Sequence, residues 1–166
     1  RGWMALSTQK SLAGDLQGAF EALRKLHKHA PQGLPLAAGM LADLARQTAR
    51  QAEAVLLLQE AQSRAPSIDI TEALASLSDG SAEVRAHYLQ HLEREPSLVI
   101  TAQWLAGETL SNPEAQERVK LSLEQASAPL RRYRCAACGF EARQHFWQCP
   151  GCQAWDSYPA RRVEAL

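Results

Sequence analysis

The stretch GAFEALRKLHKHAP, residues 18–31, carries apolar side chains at Ala19, Phe20, Leu23 and Leu26, and Leu16 extends the series backwards. Steps of three and four residues put all five on one stripe of an α-helix, and such a helix needs neighbours to cover its stripe. The stretch ends on proline, which lacks a backbone donor and cannot continue a helix. Two other stretches end alike: AEAVLLLQEAQSRAP, residues 52–66, and EVRAHYLQHLEREP, residues 83–96. Their closing residues Pro31, Pro66 and Pro96 lie 35 and 30 positions apart, so the chain reads as a repeat. Gly14, Gly33 and Gly80 punctuate between helices, and Ser97 and Asn112-Pro113 read as helix starts.

Counted from Pro31, residues Trp3, Leu6, Ala19, Leu23 and Leu26 fall on the signature positions of a tetratricopeptide repeat, a helix pair of about 34 residues. Counted from Pro66, so do Ala38, Leu41, Ala42, Ala54, Leu58 and Ala61. The first two stretches therefore resemble that family. The third copy is shorter, keeping Val84 and Tyr88 but with His91 where a small apolar residue is expected. A fourth pair, roughly 97–111 and 113–127, keeps Trp104, Leu105, Gly107, Ala115 and Val119 without a closing proline. The resemblance implies a solenoid of helical hairpins, in which degenerate terminal copies are expected. An irregular all-α bundle would show the same stripes, and helix pairs are expected in either case.

Past residue 130 the composition changes. The first 130 residues hold four aromatics, whereas residues 133–158 hold six: Tyr133, Phe140, Phe146, Trp147, Trp155 and Tyr158. Two kinds of core are implied, and we expect helical repeats over residues 1–128 and a separate module over residues 131–166. That module contains all four cysteines, in YRCAACGFEARQHFWQCPGCQAW, residues 133–155. Cys135-x-x-Cys138 and Cys149-x-x-Cys152 have the spacing of a tetrathiolate metal site, each pair a tight knuckle with both sulfurs aimed at one ion. Gly139 and Pro150-Gly151 suit such turns. A module below about 40 residues generally needs a metal, disulfides or docking to stay folded. Disulfides would suit a secreted chain, which nothing here marks. A redox Cys-x-x-Cys of the thioredoxin kind needs a βαβ context that is missing, and catalytic zinc keeps a position open where four thiolates close it. His145 reads as a lone exposed histidine. One zinc or iron ion is expected, since four thiolates in a tetrahedron suit either.

The module also resembles rubredoxin: an aromatic two residues before the first cysteine, Cys-x-x-Cys-Gly-aromatic, then Cys-Pro-x-Cys. It departs in having only ten residues between the pairs and in placing Gln153 where the second knuckle usually has glycine. CPGCQAWDS, residues 149–157, is similar to the zinc ribbon of bacterial RecA-like repair proteins, but no Walker A motif follows it.

Repeats followed by this ribbon resemble, over the whole chain, the bacterial lipopolysaccharide assembly protein B family. That resemblance implies a non-enzymatic scaffold that regulates lipopolysaccharide synthesis at the cytoplasmic face of the inner membrane. Its implied protein partners are a membrane-bound AAA protease and lipid A biosynthesis proteins, with proteolysis of the lipid A-committing deacetylase as the outcome. It further implies Cys135, Cys138, Cys149 and Cys152 as metal ligands, a ribbon packed on the repeats, and a membrane anchor outside this chain; a homo-oligomer is allowed. Residues 127–131 form a link too short to act as a tether. Trp155, Trp147 and Phe146 are candidates for that packing, or for the ribbon's own small core.

Charge and hydropathy limit the alternatives. Lysine plus arginine and aspartate plus glutamate each number 18, so nothing points to wholesale neutralisation of nucleic acid or of a membrane surface. From Arg131 onward there are six arginines and three acids, which four thiolates around a divalent ion reduce to about +1. The longest aliphatic run, AVLLL at residues 54–58, is far below the roughly 20 residues that span a bilayer. The chain opens on helical pattern at Arg1, and we read it as the C-terminal piece of a longer protein. The histidines His27, His29, His87 and His91 lie on helix faces without an acid-base partner at a telling spacing; His87 and His91, four apart, read as a solvated face. No enzyme is therefore expected. A rubredoxin-like electron carrier or redox sensor remains as a second function. A nucleic-acid-binding ribbon, using Arg131, Arg132, Arg134, Arg143, Arg161 and Arg162, remains as a third.

Overall fold

The computed structural model describes residues 1–165. Among them eight α-helices follow one another: α1 Gly2–Leu12, α2 Leu16–His29, α3 Ala38–Thr48, α4 Gln51–Arg64, α5 Ile68–Leu77, α6 Ser81–Arg94, α7 Leu98–Ala106 and α8 Pro113–Ser127. Two short strands come after them, β1 Tyr133–Arg134 and β2 Glu141–Ala142, paired antiparallel with Tyr133 opposite Ala142. The fold is mostly α with a small C-terminal β module, as the sequence leads one to expect.

The proline period is a period of helix ends. Helices α2, α4 and α6 each have 14 residues, and each stops two positions before Pro31, Pro66 or Pro96. Proline disfavours α backbone in the residue before it, and Ala30 and Ala65 both stand at φ −148°. The starts are equally local in origin. Asp15 accepts from the Gly18 N–H, Ser97 from the Ile100 N–H and Asn112 from the Ala115 N–H, each quenching an amide that the first turn leaves unpaired.

The chain forms two compact units, Arg1–His87 and Tyr88–Leu166. In the first, α2 packs against α1 and α3, and α5 against α3 and α4. The stripe of residues 19–26 is buried there with Leu34, Leu41 and Leu58, and Leu16 packs at its margin. Alanines 38, 42, 45 and 54 are buried among these larger side chains and let the helices approach closely. The corner after Pro66 is held by a buried amide: Gln62 donates to the Thr71 hydroxyl at 2.8 Å and accepts from the Ser67 N–H at 3.1 Å. Pairing both ends of the amide removes the penalty of burying it.

His27 departs from its expected place on a helix face without an acid-base partner. It is 7% exposed, and its Nε2 lies 3.0 Å from Glu60, a partner 33 residues away that α4 brings alongside.

In the second unit α7 packs on α8, with Val99 and Ile100 buried. His91 is not on a solvated face: it is 2% exposed, the one buried residue of the described part of α6. Burial holds its imidazole below the usual histidine range, against the opposing pull of Glu95 and Glu164. Val119, expected at a signature position, is 38% exposed, and among the described residues no further α-helix follows α8. A short 3₁₀ turn, Ala128–Arg131, leads directly into β1.

Candidate metal centre

Two turns of the same construction supply the four sulfurs. In the first, the Cys135 N–H donates to the Phe140 carbonyl at 2.9 Å and the Gly139 N–H donates to the Cys135 carbonyl at 2.9 Å. In the second, the Cys149 N–H donates to the Ala154 carbonyl at 2.9 Å and the Gln153 N–H to the Cys149 carbonyl at 2.8 Å. Each turn bends through a left-handed residue just after its second cysteine, Gly139 at φ 76° and Gln153 at φ 62°. The departure from glycine noted at Gln153 thus leaves the backbone conformation in place and adds a side chain to it.

That difference yields a paired expectation. Gly139→Ala should cost about 1 kcal/mol, because a β-carbon is disfavoured in the left-handed region, even though no neighbouring atom lies within 4 Å of it. Gln153→Gly should be neutral or stabilising by up to about 1 kcal/mol, for the same reason read backwards. Thermal midpoints of the two variants, moving in opposite directions or with only the first one falling, would bear this out.

The four Sγ atoms all lie within 4.8 Å of one another. Cys135 and Cys152 are 3.8 Å apart across the site, and Cys138 and Cys149 3.7 Å. Four sulfurs at about 2.3 Å from a central ion form a tetrahedron with edges of about 3.8 Å. The donor set therefore fits one tetrahedral ion, and Cys135, Cys138, Cys149 and Cys152 can hold it. One cysteine of each turn is interior and one faces solvent: Cys135 and Cys149 are 1% exposed, while Cys138 and Cys152 are exposed.

Hydrogen bonds prepare the interior sulfurs for negative charge. The Ser157 hydroxyl, 3.2 Å from Cys135 Sγ, and the N–H groups of Cys138 and Ala137 bring the Cys135 thiol down to about 6. Burial pushes the Cys149 thiol up, but the N–H groups of Cys152 and Gly151 outweigh it and the net shift is downward. At Cys138 the Phe140 N–H favours the thiolate, yet the facing sulfurs of Cys152, Cys149 and Cys135, together with burial, raise it to about 12. Four sulfurs this close resist becoming four anions unless a cation sits among them.

Aromatic side chains back the site. Tyr133 and Tyr158 are each 4% exposed, and the Tyr158 hydroxyl donates to the Phe140 carbonyl at 3.1 Å. His145, expected as a lone exposed histidine, instead sits edge-on to Tyr133, Trp147 and Tyr158, with centroids at 5.6, 4.7 and 6.0 Å. Its Nε2 lies 3.0 Å from the Tyr158 carbonyl. Burial holds its imidazole below the usual range, although that carbonyl opposes the shift. Phe146 meets Tyr158 edge-on at 6.1 Å, so it shares this small core, whereas Trp155 is 60% exposed. Phe140 lies over the second turn, close enough that a β-carbon on Gly151 would meet its ring at 3.3 Å.

Two groups important to the module, His145 and Glu164, carry no motif signal, and Ser157 stands at the end of the CPGCQAWDS stretch without a role legible there. Glu164 lies in a 3₁₀ turn, Val163–Ala165, and its carboxylate reaches Ser97, Leu98 and Val99 at the start of α7. Only the aromatic-rich composition around His145 pointed to a core in which a histidine could be enclosed.

Comparison with known proteins finds a family match in the C-terminal module and relatives along most of the chain. Residues 133–158 match the family described as Rubredoxin metal binding domain. Over 163 residues, 92% of the chain, the sequence is 27% identical to lipopolysaccharide assembly protein B of Escherichia coli K12. It is also 27% identical over 97 residues to the protein of the same name from Haemophilus influenzae, covering 54% of this chain and 24% of that protein. The chain spans 42% of the length of the Escherichia coli relative. No helix among the described residues is long and apolar enough to cross a membrane.

Proposed function

We propose that this chain is the partner-binding part of a non-enzymatic adaptor in lipopolysaccharide assembly. Residues 1–128, the tetratricopeptide-like repeats, hold protein partners, and residues 131–166, the tetracysteine module, dock on the last repeats and protect their end. The observation that carries this reading is likeness to lipopolysaccharide assembly protein B over 92% of the chain, ending in a four-sulfur site closed to substrate. Four thiolates around one ion leave no open position, so the ion's part is to fold the module. Docking is supported by the Glu164 contacts with α7 and by the four-residue turn that joins α8 to β1.

The partners are a membrane-bound AAA protease and enzymes of lipid A synthesis, and the adaptor promotes proteolysis of the committing deacetylase. It acts at the cytoplasmic face of the inner membrane, held there by a segment outside this chain. In-cell crosslinking from the repeats is expected to recover the protease or a lipid A enzyme, and deletion of the repeats to lengthen the half-life of the deacetylase. Recovery of ribosomal or nucleic-acid-associated proteins alone, with an unchanged deacetylase half-life, would overturn the proposal.

A second reading, an iron-bearing electron carrier, is favoured by one observation: Cys138 and Cys152 are exposed, so an iron ion would have sulfur ligands at the surface. Colourless, zinc-loaded protein from cells supplied with iron would exclude it.

A further inference from the structure

The α7 helix begins on three amides, and each has a partner. The Ile100 N–H donates to Ser97 Oγ at 3.0 Å, as an ordinary cap. The Leu98 N–H donates to Glu164 at 2.5 Å, the Val99 N–H donates to the same carboxylate at 3.2 Å, and the Ser97 hydroxyl donates to it at 2.6 Å. A carboxylate at this point also meets the positive end of the helix dipole. Glu164 is 66 residues further along the chain than Leu98, so nothing local puts it there.

The metal-binding module positions that carboxylate. The neighbouring Val163 N–H donates to the Arg132 carbonyl at 2.7 Å, and Arg162 donates to the Arg131 carbonyl at 2.6 Å. The Arg162 guanidinium lies 4.3 Å above the Tyr133 ring. Tyr133 is the first residue of β1, stands two positions before Cys135, and meets His145 edge-on. The route from Cys135 to the α7 amides thus runs along the chain to Tyr133, across the ring contact to Arg162, along the tail to Glu164, and through its carboxylate to the start of α7. A module this small has little to keep Tyr133 in place once the four sulfurs are no longer drawn together.

We propose that the tail Arg162–Glu164 is a latch that couples metal occupancy of the four-cysteine site to closure of the first turn of α7. With metal bound, the β1–β2 hairpin holds the tail against Arg131 and Arg132, and Glu164 closes the helix. When metal is lost, the tail is released and the amides of Leu98 and Val99 open to water, so the state of the metal site is read out in the last helix pair. Coupling of this kind is reciprocal: opening the latch also loosens the metal. The latch rests on the metal-binding part of the proposed function.

Amide hydrogen exchange over residues 97–106, with metal content measured in parallel, tests it on the whole chain. Glu164→Ala is expected to keep one metal ion per chain yet exchange about tenfold faster at Leu98 and Val99. Metal-stripped wild type should show the same acceleration, and Glu164→Gln an intermediate one. Arg143→Ala, which alters the module's charge at an exposed position outside the tail, should exchange as wild type does. By reciprocity, Glu164→Ala should release its metal to a chelator several-fold faster. Unchanged α7 exchange in Glu164→Ala would overturn the latch while leaving the metal reading intact. So would metal-stripped protein that loses protection at Cys135 and Cys149 but keeps it at Leu98 and Val99. A wild-type chain that takes up neither zinc nor iron would overturn the metal reading and the coupling with it.

Discussion

Cys149→Ser is expected to abolish metal binding and to unfold the C-terminal module while the helices of the first unit remain. Cys149 is 1% exposed, in contact with Cys138 Sγ at 3.7 Å and 3.9 Å from the Tyr158 hydroxyl, so serine would bury a hydroxyl among sulfurs and remove a ligand. Structural zinc sites contribute on the order of 10 kcal/mol to small folds, far more than the aromatic contacts around Tyr133 and Tyr158 can replace. Metal analysis should fall from one ion per chain to nearly none. Tryptophan emission should shift to the red as Trp147 leaves its ring contact with His145. Far-ultraviolet circular dichroism should keep most of its helical signal. A variant that retains its metal and its emission spectrum would show that Cys149 is no ligand.

Phe20→Ala is expected to cost the first unit about 3–5 kcal/mol, the usual range for emptying a fully buried phenylalanine site. Phe20 has 0% exposure and belongs to the buried apolar cluster of the first unit. Its ring also carries the Arg50 guanidinium 4.0 Å from its centroid. Arg50 is itself fixed by Glu21 at 2.7 Å and Glu53 at 2.6 Å, so the truncation removes a cation–π contact as well as apolar burial. Leu56→Ala, at a residue 67% exposed on α4, should change stability by less than about 0.5 kcal/mol. Denaturant midpoints for the two variants should therefore differ widely, and a Phe20→Ala loss below 1 kcal/mol would contradict the assigned core.

The helical part was legible because its signals are local or periodic. Past its first turn a helix cannot continue through proline, so Pro31, Pro66 and Pro96 mark the ends of α2, α4 and α6 without reference to the rest of the fold. Asn112 and Ser97 cap their own first turns, and the residue 19–26 stripe is apolar at helical spacing before anything packs on it. Spacing within each Cys-x-x-Cys pair likewise dictates two like turns, down to the left-handed residue that follows each.

What the sequence could not reveal is pairing at a distance. His27 reads as a helix-face residue until α4 brings Glu60 to it, and His91 as solvated until its surroundings close over it. His145 reads as exposed until the chain folds back to set Tyr133 and Tyr158 beside it. Glu164 belongs to no motif, yet it completes a helix that starts 66 residues earlier. By itself, then, the sequence determined the helix ends, the apolar faces and the two cysteine turns, since each follows from backbone sterics or periodicity within a few residues. Only the tertiary structure decided which polar side chains meet, because such contacts depend on where separate elements come to rest, and no spacing along the chain records that.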